Sequence, residues 1–308
     1  MKTGLAMPLR VCLLRGPLKI LRPLFTSIFL LLAPAHALCA PQVAVSIVPQ
    51  RYFVEQIAGG LVHVTVMVPP GANPATYEPR PSQMRELSMA QAYFAIGVPF
   101  ERTWLKRFRA ANPKMMVVDT VKDIRLYPIS SNGRRAGMAS QEIPDPHVWL
   151  APALVLLQAR NILNALVSLY PEHATVFRKR YRDFSSRLIG LDLSLMEILE
   201  TGQKRKGRLR AFMVFHPSWG YFARAYGLKQ VPIEQEGREP RPSQLFGLIK
   251  RVKKLGIKVI LVQPQFSQKA ARIISEATGA RIVKADPLAY RWDENLLEVA
   301  KTLRESWE

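Results

Sequence analysis

The chain has 308 residues, 48% hydrophobic and 22% charged, and its 44 Lys and Arg against 23 Asp and Glu give a formal net charge of +21. That length holds two domains with cores of ordinary size, and the composition excludes a disordered or fibrous chain. A positive surplus of this size suits an anionic membrane surface or an acidic partner. The basic residues are scattered along helical stretches without a nucleic-acid reader motif, so no nucleic acid is expected as a partner.

The first forty residues stand apart. They carry Lys2, Arg10, Arg15, Lys19 and Arg22 and no acid. An apolar run over 24–33, broken only by Thr26 and Ser27, leads to the small-x-small pattern Ala35-His36-Ala37, with a second cut site after Ala40. These are the parts of a secretory signal, expected over residues 1–40. The run is shorter than the ~20 residues that span a bilayer, and no second run of membrane length is read further on. Both cysteines, Cys12 and Cys39, fall in this segment. The exported chain therefore has no disulfide and no thiolate metal site. Leu38 before Cys39 is a poor fit to a lipidation site, where a small residue is expected. Loss of the five basic residues leaves +16.

From Val43 onward, short apolar runs alternate with amphipathic stretches. A strand over 43–48 precedes a helix over 51–58 that Gly59-Gly60 stops. Val62, Val64, Val66 and Val68 alternate with other residues at the period of a strand, and Pro69-Pro70-Gly71 ends it. A helix over 82–90, a strand over 93–96, a helix over 100–111 and a strand over 115–118 follow. Residues 124–145 hold Gly, Pro, Ser and Asn without apolar period and read as a mobile surface loop. Over 153–200, Leu154, Leu157, Ile162, Leu166 and Leu169 recur at near-helical spacing, the pattern of one long helix followed by another. A basic linker over 202–210 precedes strands at 211–215, 230–233, 259–262 and 281–283, interleaved with helices at 221–226, 243–255, 267–278 and 295–304. No short internal repeat is read.

The β-then-α alternation predicts an α/β fold: two βα lobes with parallel-type sheets, joined by a long rigid helix. The expected division is a signal peptide over 1–40, an N-terminal lobe over 41–150, a connecting helical segment over 151–206 and a C-terminal lobe over 207–308.

Four histidines follow the signal. His63 faces away from the apolar row of its strand, and His173 follows Pro171-Glu172 at a helix start; both read as surface residues. His147 lies in Asp145-Pro146-His147-Val148-Trp149, where the loop meets the helical region. His216, in Phe215-His216-Pro217-Ser218-Trp219, ends an apolar strand, and Asp286 ends another. In parallel sheets ligands bind at the carboxyl ends of strands. Two imidazoles and a carboxylate make a normal zinc coordination shell, with manganese as the second candidate.

Six ordered stretches of this sequence resemble the substrate-binding components of zinc and manganese ABC transporters, the TroA-like family. They are Val45-Ser46-Ile47-Val48-Pro49; Pro70-Gly71-Ala72-Asn73-Pro74 with Thr76-Tyr77-Glu78-Pro79 and Pro81-Ser82-Gln83; Ile96-Gly97 with Phe100-Glu101; Asp145-Pro146-His147-Val148-Trp149; residues 215–222; and Asp286-Pro287-Leu288. The resemblance implies a metal cleft between the lobes, with His147, His216 and Asp286 as the second, third and fourth ligands. Histidine at the third position resembles the zinc type. The implied function is capture of a divalent metal ion by a monomeric protein outside the cytoplasmic membrane, and its delivery to the membrane permease of an ABC importer.

The chain departs from that family at the first ligand, where a histidine is usual and Ala75 stands. Three resolutions follow, in order of preference. Water completes a three-ligand site with an open position; or a nearby carboxylate such as Glu78 or Glu236 swings in; or the site has turned to another ligand or partner. The loop over 124–145 lacks the family's His- and Asp-rich run and carries Arg125, Arg134 and Arg135 instead. The acidic stretch over 233–240 reads as a solvated loop in preference to a cleft lining. Rival functions are a ligand-free adhesin or regulator on the same scaffold and, less favoured, a zinc hydrolase with Glu78 or Glu236 as base. The hydrolase reading lacks a paired zinc-binding helix motif or a nucleophile elbow, so the chain is expected not to be an enzyme.

Overall fold

The computed structural model describes residues 40–129, 143–200, 210–235 and 237–307, all inside one compact unit, Cys39–Glu308. The expected signal segment with Cys12 and Cys39, the middle of the expected mobile loop, most of the basic linker and Glu236 lie outside those residues.

Two four-stranded parallel sheets organise the unit. The first holds β1 (Gln42–Val45), β2 (His63–Val66), β3 (Ala92–Ala95) and β4 (Met116–Asp119) in the order β2-β1-β3-β4. The second holds β5 (Ala211–Val214), β6 (Lys229–Pro232), β7 (Val259–Val262) and β8 (Arg281–Lys284) in the order β6-β5-β7-β8. Each order reverses at one point, between β1 and β3 and between β5 and β7. A crevice opens there beyond the strands' carboxyl ends, the usual ligand position in such sheets.

Proline sets where several helices begin. α1 (Val48–Ala58), α2 (Pro81–Met89), α3 (Pro99–Ala111), α4 (Pro152–Leu169) and α7 (Pro242–Leu255) all carry proline in the first turn, where its missing N–H is no loss. The expected starts fall one to three residues late because these prolines read as strand or loop ends. The remaining helices are α5 (Ala174–Glu200), α6 (Gly220–Ala225), α8 (Lys269–Thr278) and α9 (Trp292–Glu305).

One sequence signal passed unread. Glu-Pro-Arg-Pro-Ser-Gln occurs twice, at 78–83 and at 239–244. The two copies open α2 and α7, the helices that follow the second strand of each sheet. In each copy the glutamine side chain accepts the backbone N–H of the arginine three residues earlier, Gln83 from Arg80 at 2.9 Å and Gln244 from Arg241 at 2.7 Å. That bond satisfies a donor at the helix entry. The lobes thus share a six-residue repeat at equivalent places, against the expectation of none.

Along β5 the side chains alternate between two cores, as a strand requires. Ala211 and Met213 join Leu248, Val252, Ala271 and Ile274 under α7 and α8, while Phe212 and Val214 join the larger core of the molecule. α4 and α5 form the connecting segment. Against the expectation of no second run of membrane length, α4 is apolar and long enough to cross a membrane by length and composition alone. It is a core helix here: Val155, Ala159, Ile162 and Leu166 are fully buried. α5 runs for 27 residues and buries Phe177, Phe184, Leu188, Leu191, Leu195 and Leu199, an apolar stripe at three-, four- and seven-residue steps. It packs on α1, α4 and α9, so it touches elements of both lobes.

Aromatic side chains lock that junction. Phe53 of α1 meets the edge of Trp292 of α9 with centroids 5.1 Å apart, and the Tyr52 hydroxyl donates to Asp293 at 2.9 Å. The Trp292 indole N–H donates to the Trp149 carbonyl at 2.7 Å, and the Trp149 indole donates to the Pro287 carbonyl at 2.8 Å. Burying these rings contributes area, and each buried N–H finds its acceptor. Trp292→Ala is expected to lower unfolding stability by about 3–5 kcal/mol, read from the urea midpoint of the metal-free protein. An unchanged midpoint would show that the junction does not depend on this ring.

Candidate metal site

Every polar residue of the C-terminal lobe that gathers at the crevice lies one to three positions past a strand end. His216 follows β5, Glu234 follows β6, Gln263 and Gln265 follow β7, and Asp286 follows β8. His147 comes from the other side, two residues beyond Asp145, at the entry to a short 3-10 turn over Val148–Leu150 that leads into α4.

The two imidazoles meet edge-on. Their ring centroids are 5.2 Å apart at an interplanar angle of 66°. Each holds a carboxylate on its inner nitrogen. His147 Nδ1 lies 2.6 Å from Asp145 Oδ1, which also accepts the His147 backbone N–H at 3.0 Å. His216 Nδ1 lies 2.9 Å from Glu234 Oε2. An ionised carboxylate can only accept, so in the neutral rings each Nδ1 donates its proton and each Nε2 keeps its lone pair. A carboxylate behind an imidazole fixes the tautomer and raises ligand basicity, the arrangement common behind metal-bound histidines.

The supports run deeper on both sides. Asp145 is 3% exposed and Glu234 7%. The Tyr221 hydroxyl of α6 donates to the Asp145 carbonyl at 3.1 Å and accepts the Tyr127 N–H at 3.0 Å. It thereby ties both arms of the 127–145 loop, which also pair as an antiparallel bridge at Pro128 and Pro144. Gly220 is needed beside Asp145: a Cβ there would sit 2.9 Å from Asp145 Oδ2. On the other side, Gln263 Oε1 accepts the His216 N–H at 2.9 Å and Gln263 Nε2 donates to the His216 carbonyl at 3.0 Å. The His216 ring stacks on Phe266 at 5.2 Å.

Asp286 is held by other groups. Its Oδ1 accepts from Gln265 Nε2 at 2.8 Å and from the Leu288 N–H at 2.9 Å. Its neighbour Pro287 carries the carbonyl that Trp149 binds, two residues from His147. Among the described residues, no three His, Cys, Asp or Glu side chains converge as a metal-binding group. Ala75 is exposed, in a turn where Asn73 Oδ1 accepts its N–H at 2.9 Å, and Glu78 is exposed beside it. Glu236, the other accessory candidate, lies outside the described residues. His63 is exposed and His173 partly so.

Two residues were underread in the sequence. The sequence pattern places Glu234 in a solvated acidic loop, yet it is buried on His216. Asp145 appeared only as part of the Asp-Pro-His motif, yet it is the group that orients His147. The readable clue for both is position: Glu234 stands just past a strand end, and Asp145 stands two residues before the histidine it holds.

The chain matches the ZnuA family, zinc-uptake complex component A, periplasmic, over residues 43–304. It belongs to that family. The high-affinity zinc uptake system protein ZnuA of Bacillus subtilis is 27% identical over 241 residues, 76% of this chain and 74% of that protein. A crystal structure of ZnuA superposes with a TM-score of 0.80 at 39% identity, over 87% of this chain and 100% of that one. A zinc-bound deletion mutant of ZnuA superposes with a TM-score of 0.77 at 40% identity, over 87% of this chain and 98% of that one. As a ZnuA-family protein the chain is a solute-binding component of zinc uptake and not an enzyme. The two-lobed parallel α/β architecture expected from the sequence is the architecture of these relatives.

Burial pushes the His147 pKa down, against the pull of Asp145. A depressed folded-state value means that the unfolded chain takes the proton first as the pH falls. The metal-free protein should therefore lose stability as the pH drops through the ordinary histidine value of about 6.5, and the loss should level off below the folded-state value. Urea unfolding across this range should show a shallower acid limb for His147→Gln. Equal slopes for the two proteins would contradict the assignment.

Proposed function

We propose that the protein captures a zinc ion between His147 Nε2 and His216 Nε2, with Asp286 as third ligand, and delivers it to the permease of an ABC importer. Residues 1–40 would direct export, and the exported chain would work as a monomer outside the cytoplasmic membrane, with residues 41–150 and 207–308 as lobes and 151–206 as their connection. The observation that carries this reading is the pair of adjacent imidazoles, each with a carboxylate on Nδ1. Family membership makes zinc the expected cargo.

Ala75 leaves one position of a tetrahedral zinc shell without a protein donor, and water fills it in this reading. A three-ligand site binds more weakly than a four-ligand one and releases its ion more easily. Because α5 and the aromatic junction span both lobes, release is expected from shifts of the ligand-bearing loops rather than from wide lobe opening. The twin Glu-Pro-Arg-Pro-Ser-Gln segments at 78–83 and 239–244 give both lobes an exposed glutamate, arginine and serine at the entry to the helix after the second strand. That suits a partner presenting two like halves. In this reading Glu78 serves docking and not coordination.

Calorimetry with zinc on the metal-stripped protein tests the site. The wild type should bind, and the His147→Ala, His216→Ala double variant should not. Ala75→His should tighten binding by tenfold or more, about 1.4 kcal/mol per tenfold. Affinity should weaken between about pH 7.5 and about pH 5.5, because both imidazoles must be neutral to coordinate. Glu78→Arg with Glu239→Arg should leave zinc affinity unchanged while lowering zinc uptake in cells. Wild-type affinity in the double histidine variant would remove the site from consideration.

A further inference from the structure

The positive charge of the described chain is not spread evenly. Residues 238–284 hold eleven Lys and Arg against two acids, Glu239 and Glu276, a net of +9 in 47 residues. They span α7, the central strand β7, α8 and the edge strand β8. α7 and α8 pack side by side on one face of the second sheet, over a core of Leu248, Val252, Ala271 and Ile274. Their opposite faces point away from the rest of the molecule.

What those faces present is consistent. On α7, Phe246, Lys250, Lys253 and Lys254 are exposed and follow one another at four-, three- and one-residue steps, opposite the buried Leu248 and Val252. Phe246 is 68% exposed, the largest value among the exposed large hydrophobics of the described residues. On α8, Lys269, Arg272 and Ile273 are exposed in the same way, opposite Ala270, Ala271 and Ile274. Lys250, Lys253, Lys254, Lys258, Lys269 and Arg272 form none of the ion pairs among the described residues. At the margin, Arg281 pairs with Glu305 at 3.6 Å.

We propose that the outer face of α7 and α8 docks on anionic phospholipid, holding the exported protein against the membrane surface. Charge complementarity with phospholipid headgroups is the first argument: clustered bases near a helix surface attract anionic leaflets. Composition is the second. Lysine is depleted at protein–protein interfaces, where arginine and clustered aromatics dominate. This face is lysine-rich and carries a single exposed phenyl ring among its charges, the pattern of a helix lying in a headgroup layer. An acidic protein partner would fit the charge but not this composition. The proposal is independent of the zinc site, which lies at the strand ends and shares none of these residues.

Vesicle flotation tests it on the chain from Pro41 onward, which contains every described element and omits the separately basic first forty residues. The probes are vesicles of equal parts phosphatidylglycerol and phosphatidylcholine, and vesicles of phosphatidylcholine alone. Binding should occur only to the first, weaken with added salt, and fall at least about tenfold in Lys250→Glu, Lys253→Glu, Lys254→Glu, given the contribution of each base near an anionic surface. Phe246→Ala should weaken binding at high salt as well as low. Arg102→Glu, Lys106→Glu, Arg109→Glu on α3 changes net charge equally on another face and should retain binding. All variants should keep wild-type zinc affinity and melting temperature, which separates this proposal from the zinc reading. Equal loss in both triple variants, equal binding to both vesicles, or no vesicle binding would overturn it. So would α7-dependent binding to polyglutamate with none to vesicles, which would assign the face to an acidic protein.

Discussion

Two imidazoles on opposite sides of a crevice can share an ion only if each presents the nitrogen that carries a lone pair. In this protein Asp145 and Glu234 settle that choice, each by accepting the proton on Nδ1. The geometry around the crevice serves that requirement. Gln263 fixes the His216 backbone, Phe266 supports its ring, and Tyr221 clamps the loop that carries Asp145. The two supporting carboxylates are both buried, so little water competes for the bonds that hold the rings.

Those local bonds matter because the lobes bearing them are fixed in relation to one another. α5 packs on helices of both lobes, and Phe53, Trp149 and Trp292 join the first lobe to α9 and to Pro287. The same chain of contacts links His147 to Asp286: Trp149 lies two residues from one and bonds the neighbour of the other. A rigid frame with small, bonded loops at its strand ends lets ligand side chains adjust without opening the core. If Ala75 leaves a coordination position open, as proposed, that frame favours release of the ion through motion of its loops.

Much of the fold was legible because its elements are short and strongly periodic. All eight strands were anticipated, since apolar runs bounded by Gly, Pro or polar residues allow few other readings. Helix starts were misplaced where Pro49, Pro81, Pro99 and Pro242 read as the end of one element instead of the beginning of the next. α4 reads as one of two connecting helices, and its buried residues Val155, Ala159, Ile162 and Leu166 follow one helical face while Arg160 and Asn164 stay exposed. The histidines could be picked out from their places beside strand and loop ends. Their supports could not, because a hydrogen bond between Glu234 and His216 spans 18 positions and two strands, and nothing in either local pattern announces it. The acidic neighbours of Glu234 pointed instead to solvent. The six-residue repeat at 78–83 and 239–244 is readable in the sequence and falls at equivalent places in the two sheets.

The most direct test of the imidazole pair is long-range proton–nitrogen NMR on the ring nitrogens of His147 and His216, recorded before and after zinc is added. The account predicts that both rings start with the proton on Nδ1, and that zinc shifts both Nε2 resonances together while each Nδ1 stays protonated. Rings found with the proton on Nε2, or a zinc-induced shift at neither Nε2, would contradict it.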